Sequence, residues 1–375
     1  MTSKKKNTAI PLTQSHAFDK PFVDYKFQLK RLKDRGLSIP DSQIEVVTSL
    51  IKQHGYYQII NGYGSLFEQN GTKYKHYIPG TSFEDIYTQF NIDRQLGKIL
   101  LTYLLDIEDH FSNILSYTTA EHFDVNNFYK DDPKNPDSSV LSYLNYTHFP
   151  NGPSKVLGQL HELSLTCKDY PTCWYITHKN HVPSWVLFMN AELGTLNRYY
   201  KICPSSVKRE INDAFLPSPY SLNSFLNLEE RNNHSNKTHT QLLNAAKSMR
   251  GKFIYSGLEL MREFRNCIAH NSRLLAFESR TTLSIAVRNA SNISPSKLYT
   301  NHEYYDGTGK NDLFALFLWI LICQTSEEAR LVFIESIREF FLGSNVNKAA
   351  MNLFLRGTKL PSNFILRLNN LSNVL

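Results

Sequence analysis

A chain of 375 residues with 41% hydrophobic content can bury a substantial core, so one large or two to three smaller globular domains are expected. Its net charge of +7 favours contact with polyanions without identifying one. Five scattered cysteines do not make a disulfide scaffold, the basic start lacks the apolar stretch of a secretory signal, and the longest wholly apolar run spans only Leu313–Cys323; a soluble, cytoplasmic protein without membrane partners is expected.

Residues 1–19 are polar and basic, without an apolar period, and read as a mobile tail. Phe22, Leu29 and Leu32 recur at helical spacing, and Asp41 is placed to cap a second helix through Ile44, Val47, Leu50 and Ile51. The tyrosine-rich stretch from Gly55 to Phe67, with glycines at 55, 62 and 64, predicts a tight, irregular passage whose rings pack between helices rather than stack on bases. Ser82 followed by Asp85 resembles a capping box, and the apolar series from Ile86 to Leu115 predicts one long amphipathic helix. Asp106, Glu108, Asp109 and His110 on that helix face different ways, which favours a charged outer face over a metal site. The loop signals between Asp131 and Pro153 read as a surface insertion, and helices broken near Pro171 and Pro183 should follow. Cys167, Cys173, His178 and His181 lack the short paired spacing of a structural zinc site.

No proline interrupts the chain between Pro219 and Pro295, and apolar residues from Leu242 to Phe264 predict a helix from about Thr238 to His270. Residues 280–310 are punctuated by Asn, Ser, Gly and Asp and read as a lid or loop. Leu313–Cys323, apolar on all sides, reads as a deeply buried or dimer-contact helix, with further helices through Ile334 and Met351. No alternating strand pattern, Gly-rich phosphate loop or nucleophile elbow is present, so the fold class is all-α and an ATPase or hydrolase is unsupported.

The end of the long helix, Met261-Arg-Glu-Phe-Arg-Asn-Cys-Ile-Ala-His-Asn-Ser-Arg273, carries the chemistry. Arginine is a permanent cation that grips phosphate through two donors, and histidine moves protons near neutral pH. RNA supplies its own nucleophile, so Arg265 and His270 are the residues with which RNA can be cut without a metal. At about 100° per residue, Leu260, Phe264, Cys267 and Ile268 form a core arc, while Arg262, Asn266, His270 and Arg273 form a basic one. Asn266, four residues before His270, is spaced to orient the imidazole; Arg262 and Arg273 are spaced to hold flanking phosphates. Arg265 lies roughly 140° from His270 on an ideal helix, so the two meet only if the helix breaks or a second copy supplies the partner, which implies a homodimer.

Arg265-Asn-Cys-Ile-Ala-His270 with its flanks closely resembles the signature of the AbiD/AbiF abortive-infection proteins, bacterial phage-defence members of the HEPN ribonuclease superfamily. Supporting segments occur in order: Lys20-Pro-Phe-Val-Asp-Tyr-Lys-Phe-Gln-Leu29, Arg35-Gly36-Leu37, Gly55-Tyr-Tyr-Gln-Ile-Ile-Asn-Gly-Tyr63, Asp93-Arg94, Asp106-Ile-Glu108, Pro183-Ser-Trp-Val186 and Leu193-Gly194. Two positions depart from the pattern: Asn271 stands where many relatives carry a second histidine, and Gly97 where an arginine is common. The resemblance implies a HEPN-like helical bundle over residues 81–375, with insertions near 130–153 and 280–310, and a helical extension over residues 20–80. It also implies a metal-independent endoribonuclease toxin with no cofactor, acting on RNA and restrained by an inhibitory small RNA. The rival expectation is a non-catalytic RNA-binding or interaction protein of the same defence system. A third is purely structural, with Asn266 and His270 satisfying each other at a helix end.

Overall fold

The computed structural model describes residues 22–69, 75–130, 140–150, 152, 154–232, 237–343 and 347–375. It is all-α, as the periodicity predicts; among the described residues there is no strand, only isolated bridges pairing Ser38 with Ser82 and Glu68 with Tyr77. The expected tail at 1–19 lies outside the described residues. The chain divides into two compact units, Met1–Tyr87 and Thr88–Leu375.

In the first unit, α1 (Tyr25–Asp34) starts where the Asp24 carboxylate accepts the Phe27 N–H at 2.7 Å, and it buries Leu29 and Leu32. Phe22 lies outside the helix and is exposed. Asp41 does not cap the next helix. Its carboxylate pairs with Lys33 at 2.9 Å, and a short 3-10 turn, Asp41–Gln43, precedes α2 (Ile44–His54), which buries Val47 and Ile51. The tyrosine-rich passage is irregular as expected, a π-helical turn at Tyr57–Asn61 followed by a 3-10 turn at Gly64–Phe67. Ser82 and Asp85 form the capping box: the Ser82 N–H donates to Asp85 at 2.8 Å and the Asp85 N–H to the Ser82 hydroxyl at 3.2 Å. It opens α3 (Phe83–Phe123), whose 41 residues continue into the second unit.

The second unit continues with α4 (Lys155–Thr166), α5 (Thr172–His178), α6 (Ser184–Leu187), α7 (Leu193–Ile202), α8 (Ser205–Phe215), α9 (Leu222–Arg231) and α10 (His239–Ala269). Then follow α11 (Ala286–Ala290), α12 (Asn301–Tyr305), α13 (Leu313–Cys323), α14 (Glu327–Leu342), α15 (Lys348–Thr358) and α16 (Phe364–Ser372). Helices α7, α8, α9 and α13 pack on α10, which makes it the axis of the unit. All eleven residues of α13 are buried within the single chain, because an all-round apolar helix is stable only when surrounded.

Two loop expectations change. Residues 131–139, 151 and 153 of the supposed surface insertion are outside the described set, but Tyr143, Leu144 and Phe149 are buried, and the Tyr143 hydroxyl donates to the Val182 carbonyl at 2.6 Å. This stretch contributes aromatic core, which outweighs its polar neighbours. Residues 280–310 form no loose lid: they include α11 and α12, and they bury Leu283, Val287, Leu298 and Tyr299.

Candidate functional site

Helix α10 begins with a full capping box, the Thr238 hydroxyl accepting the Gln241 N–H at 3.3 Å and the Gln241 side chain accepting the Thr238 N–H at 2.9 Å. It runs unbroken to Ala269, with His270 as its C-cap. The next residue, Asn271, adopts a left-handed conformation at φ 51°. Its N–H donates to the Ile268 carbonyl at 3.0 Å and the Ser272 N–H to the Cys267 carbonyl at 2.9 Å, the pair of bonds that closes a Schellman turn. Asparagine tolerates this backbone better than most residues because its short amide compensates locally. The departure at Asn271 therefore coincides with the turn that stops the signature helix.

Buried Asp93 of α3 holds the chain beyond that turn. Its two carboxylate oxygens accept the N–H groups of Leu274 and Leu275, each at 2.8 Å. The other departure lies nearby: a Cβ on Gly97 would stand 3.3 Å from the Ile268 side chain, so the glycine lets α3 approach the signature helix closely. Burial, with Asp93 assisting, pushes the Cys267 thiol up to about 12, which makes it a core group rather than a nucleophile.

The structure gathers Arg262, Asn266 and His270 on one side of α10, in a cleft of ≈ 330 Å³ that also includes Ser272, Glu278 and Arg280. His270 is exposed there. Arg265 is absent from this cleft. It turns toward α3, where its Nε lies 3.6 Å from Glu108. The straight helix thus keeps Arg265 and His270 apart within one chain, as the roughly 140° offset requires.

The expected hydrogen bond from Asn266 to the His270 ring is not formed. His270 bonds Asn266 through backbone, N–H to carbonyl at 3.0 Å, and the Asn266 amide oxygen accepts from Arg265 at 3.4 Å. Arg262 is held by Glu259 through two donors at 3.1 and 2.8 Å, and its stem crosses Gly194, where an added Cβ would come to 3.0 Å. Asn197 of α7 fixes Glu259 in turn, donating to it at 2.9 Å. Arg273 lies outside the cleft, exposed in the segment after the turn; Arg280 stands in the cleft instead.

Glu108 is the residue that sequence reasoning misplaced. It is mostly buried, one carboxylate oxygen lacks a hydrogen-bond partner, and burial raises its pKa against the opposing pull of Arg265. His110 is also partly enclosed, its ring 5.5 Å from Phe215, and burial lowers its pKa. Position 108 on the helical wheel, near Leu104 and Phe111 at the edge of the buried stripe, hinted at this. Cys167, Cys173, His178 and His181 form no metal-binding group: among the described residues no group of three or more His, Cys, Asp or Glu is arranged to hold a metal ion.

The family model described as Abi-like protein matches residues 49–276, more than half of the chain and all of the signature. No curated protein and no solved structure matches.

Proposed function

Because the chain belongs to the Abi-like protein family, we propose that it is a phage-defence endoribonuclease of the HEPN type that cuts RNA without a metal at a site shared by two copies. Family membership supports a role in abortive infection, in which a toxin halts the growth of infected cells. The observation that carries the catalytic reading is the placement of His270: exposed at the end of a rigidly terminated helix, in a cleft with Arg262 and Arg280.

In this mechanism His270 takes the proton from a 2′-hydroxyl. The 2′-oxygen attacks the adjacent phosphorus, and the 5′-oxygen leaves with a proton, giving 2′,3′-cyclic phosphate and 5′-hydroxyl ends. Arg265 of a second copy stabilises the charge growing on the phosphoryl oxygens, while Arg262 and Arg273 hold flanking phosphates. Asn266 serves by holding Arg265 rather than by orienting the histidine. The inhibitory small RNA is part of the same proposal, a polyanion suited to the basic arc.

The pairing of Arg265 with Glu108 favours one second reading, a protein that binds RNA at this arc without cutting it. Purified wild type and His270→Ala, incubated in EDTA with labelled single-stranded RNA, separate the two. Cyclic-phosphate ends from wild type alone, with RNA affinity retained in the variant, are expected. Intact RNA in both, with unchanged binding, would establish the binding protein; a lowered melting temperature in the variant with cleavage retained would make His270 structural.

A further inference from the structure

A cleft of ≈ 460 Å³ opens at the other end of α7. The start of α7, at Gly194, abuts Arg262 of the signature face, whereas Tyr200 and Lys201 at its end line this second cleft, roughly 10 Å away by the helical rise. The walls are completed by α8 and the first half of α10. Lys201, Lys208, Arg209, Lys247, Arg250 and Lys252 all line it, and no carboxylate among the described residues does.

Carboxylates behind the cleft balance only part of this charge: Glu210 of α8 pairs with His122 at 2.7 Å and lies 3.8 Å from Arg209, and Asp213 is paired with Arg250. Arg250 is buried and further tied to the carbonyls of Tyr220 at 2.8 Å and Asn212 at 3.0 Å, a fixed part of the scaffold. Of the other five cations, Arg209 lies near Glu210, and the four lysines have no carboxylate partner among the described residues. Lys201 lies 4.8 Å over the Tyr255 ring, and the Lys208 ammonium donates to the Lys201 carbonyl at 2.6 Å. Burial lowers the Lys208 pKa, with Cys203 opposing the shift and Lys201 adding to it.

A concave surface lined by one sign of charge concentrates ligands of the opposite sign. A single phosphate monoester carries about two negative charges, so four lysines without a carboxylate partner suit more than one phosphate. The volume falls within the range of about 300–1,000 Å³ typical of small-ligand sites. Asn197 of α7 joins α10 between the two clefts, donating to the Tyr255 carbonyl at 3.2 Å and to Glu259 at 2.9 Å.

We propose that this cleft is a separate binding site for an oligophosphate group, the triphosphate of a free nucleotide or of an RNA 5′ end. Titration calorimetry with inorganic tripolyphosphate, ATP, and one RNA oligomer bearing either a 5′-triphosphate or a 5′-hydroxyl tests it on the full chain. Tripolyphosphate should bind wild type and His270→Ala equally, and roughly tenfold or more weakly to Lys247→Glu/Lys252→Glu, since each cation lost removes a charged hydrogen bond. Both lysines are exposed, so the double variant should fold; Lys201→Gln/Arg209→Gln provides a second pair that must show the same loss. ATP binding as tightly as the triphosphorylated RNA identifies the free nucleotide, and tighter binding of that RNA than of either ATP or the 5′-hydroxyl oligomer identifies the RNA end. Absent saturable binding, binding to either charge variant as tight as to wild type, or equal competition by the 5′-hydroxyl RNA would each overturn the proposal. Because His270→Ala is inert in this assay, its outcome is distinct from that of the cleavage test.

Discussion

Asn271 shows what a single residue does at the signature. It supplies the left-handed link that ends α10 and leaves His270 at the helix terminus. An ordinary L residue pays about 1–2 kcal/mol in this conformation, asparagine less and glycine almost nothing. Asn271→Ala should therefore lower stability by about 1 kcal/mol in urea unfolding, whereas Asn271→Gly should leave it unchanged or slightly raised; equal losses would show that the turn is held by other contacts. His270 and Arg265 were legible because their side-chain chemistry is rare and their spacing on a helix is calculable. The Glu108 partner was not, since residues 157 positions apart in sequence meet only through the packing of α3 near α10. The Asn266–His270 pair failed for a related reason: spacing permits an interaction, but neighbouring charge, here Arg265, decides which one forms.

At the scale of elements, α10 and α13 touch where glycine makes room. A Cβ on Gly257 would overlap the fully buried Trp319 ring. Alanine gains about 1 kcal/mol of helix propensity over glycine, but overpacking a rigid core costs about 1–3 kcal/mol. Gly257→Ala should thus be destabilising by about 1–2 kcal/mol in chemical denaturation, and a stabilised variant would mean that the helices separate freely. The start of α13 is capped by Asp312, whose carboxylate accepts the N–H groups of Gly309 at 3.0 Å and Ala315 at 2.9 Å. Burial raises its pKa to about 6 despite those donors. The unfolded chain releases the same proton near pH 4, so between about pH 4 and 6 the folded state binds more protons and loses stability as pH rises. Relative to Asp312→Asn, wild type should lose about 3 kcal/mol across that window; parallel pH profiles would contradict the assignment. The periodic elements were readable from apolar spacing and caps. The 280–310 segment was not, because its polar residues conceal eight buried apolar ones without a regular period.

For the whole molecule, the separation of Arg265 from His270 makes the number of copies at the site measurable. In a twofold dimer, each shared site takes Arg265 from one copy and His270 from the other. Arg265→Ala and His270→Ala proteins, each inactive alone, should recover about a quarter of wild-type cleavage when exchanged at equal concentrations, because half the dimers are mixed and each has one intact site. No recovery after verified subunit exchange would place both residues in a single-chain site and remove the need for a dimer.

The sequence by itself determined the all-α class, the extent and start of α10, the burial of α13 and the identity of the histidine and arginines offered at the helix end. These are local properties, set by periodicity, capping chemistry and side-chain type within a few turns. Tertiary structure alone decided that Arg265 faces Glu108, that Asp93 secures the turn after His270, and that Arg280 stands in the cleft beside that histidine. It also brought six cations from α7, α8 and α10 around one cavity. Such arrangements depend on which helical faces pack together, a result of whole-core complementarity that no window of sequence contains.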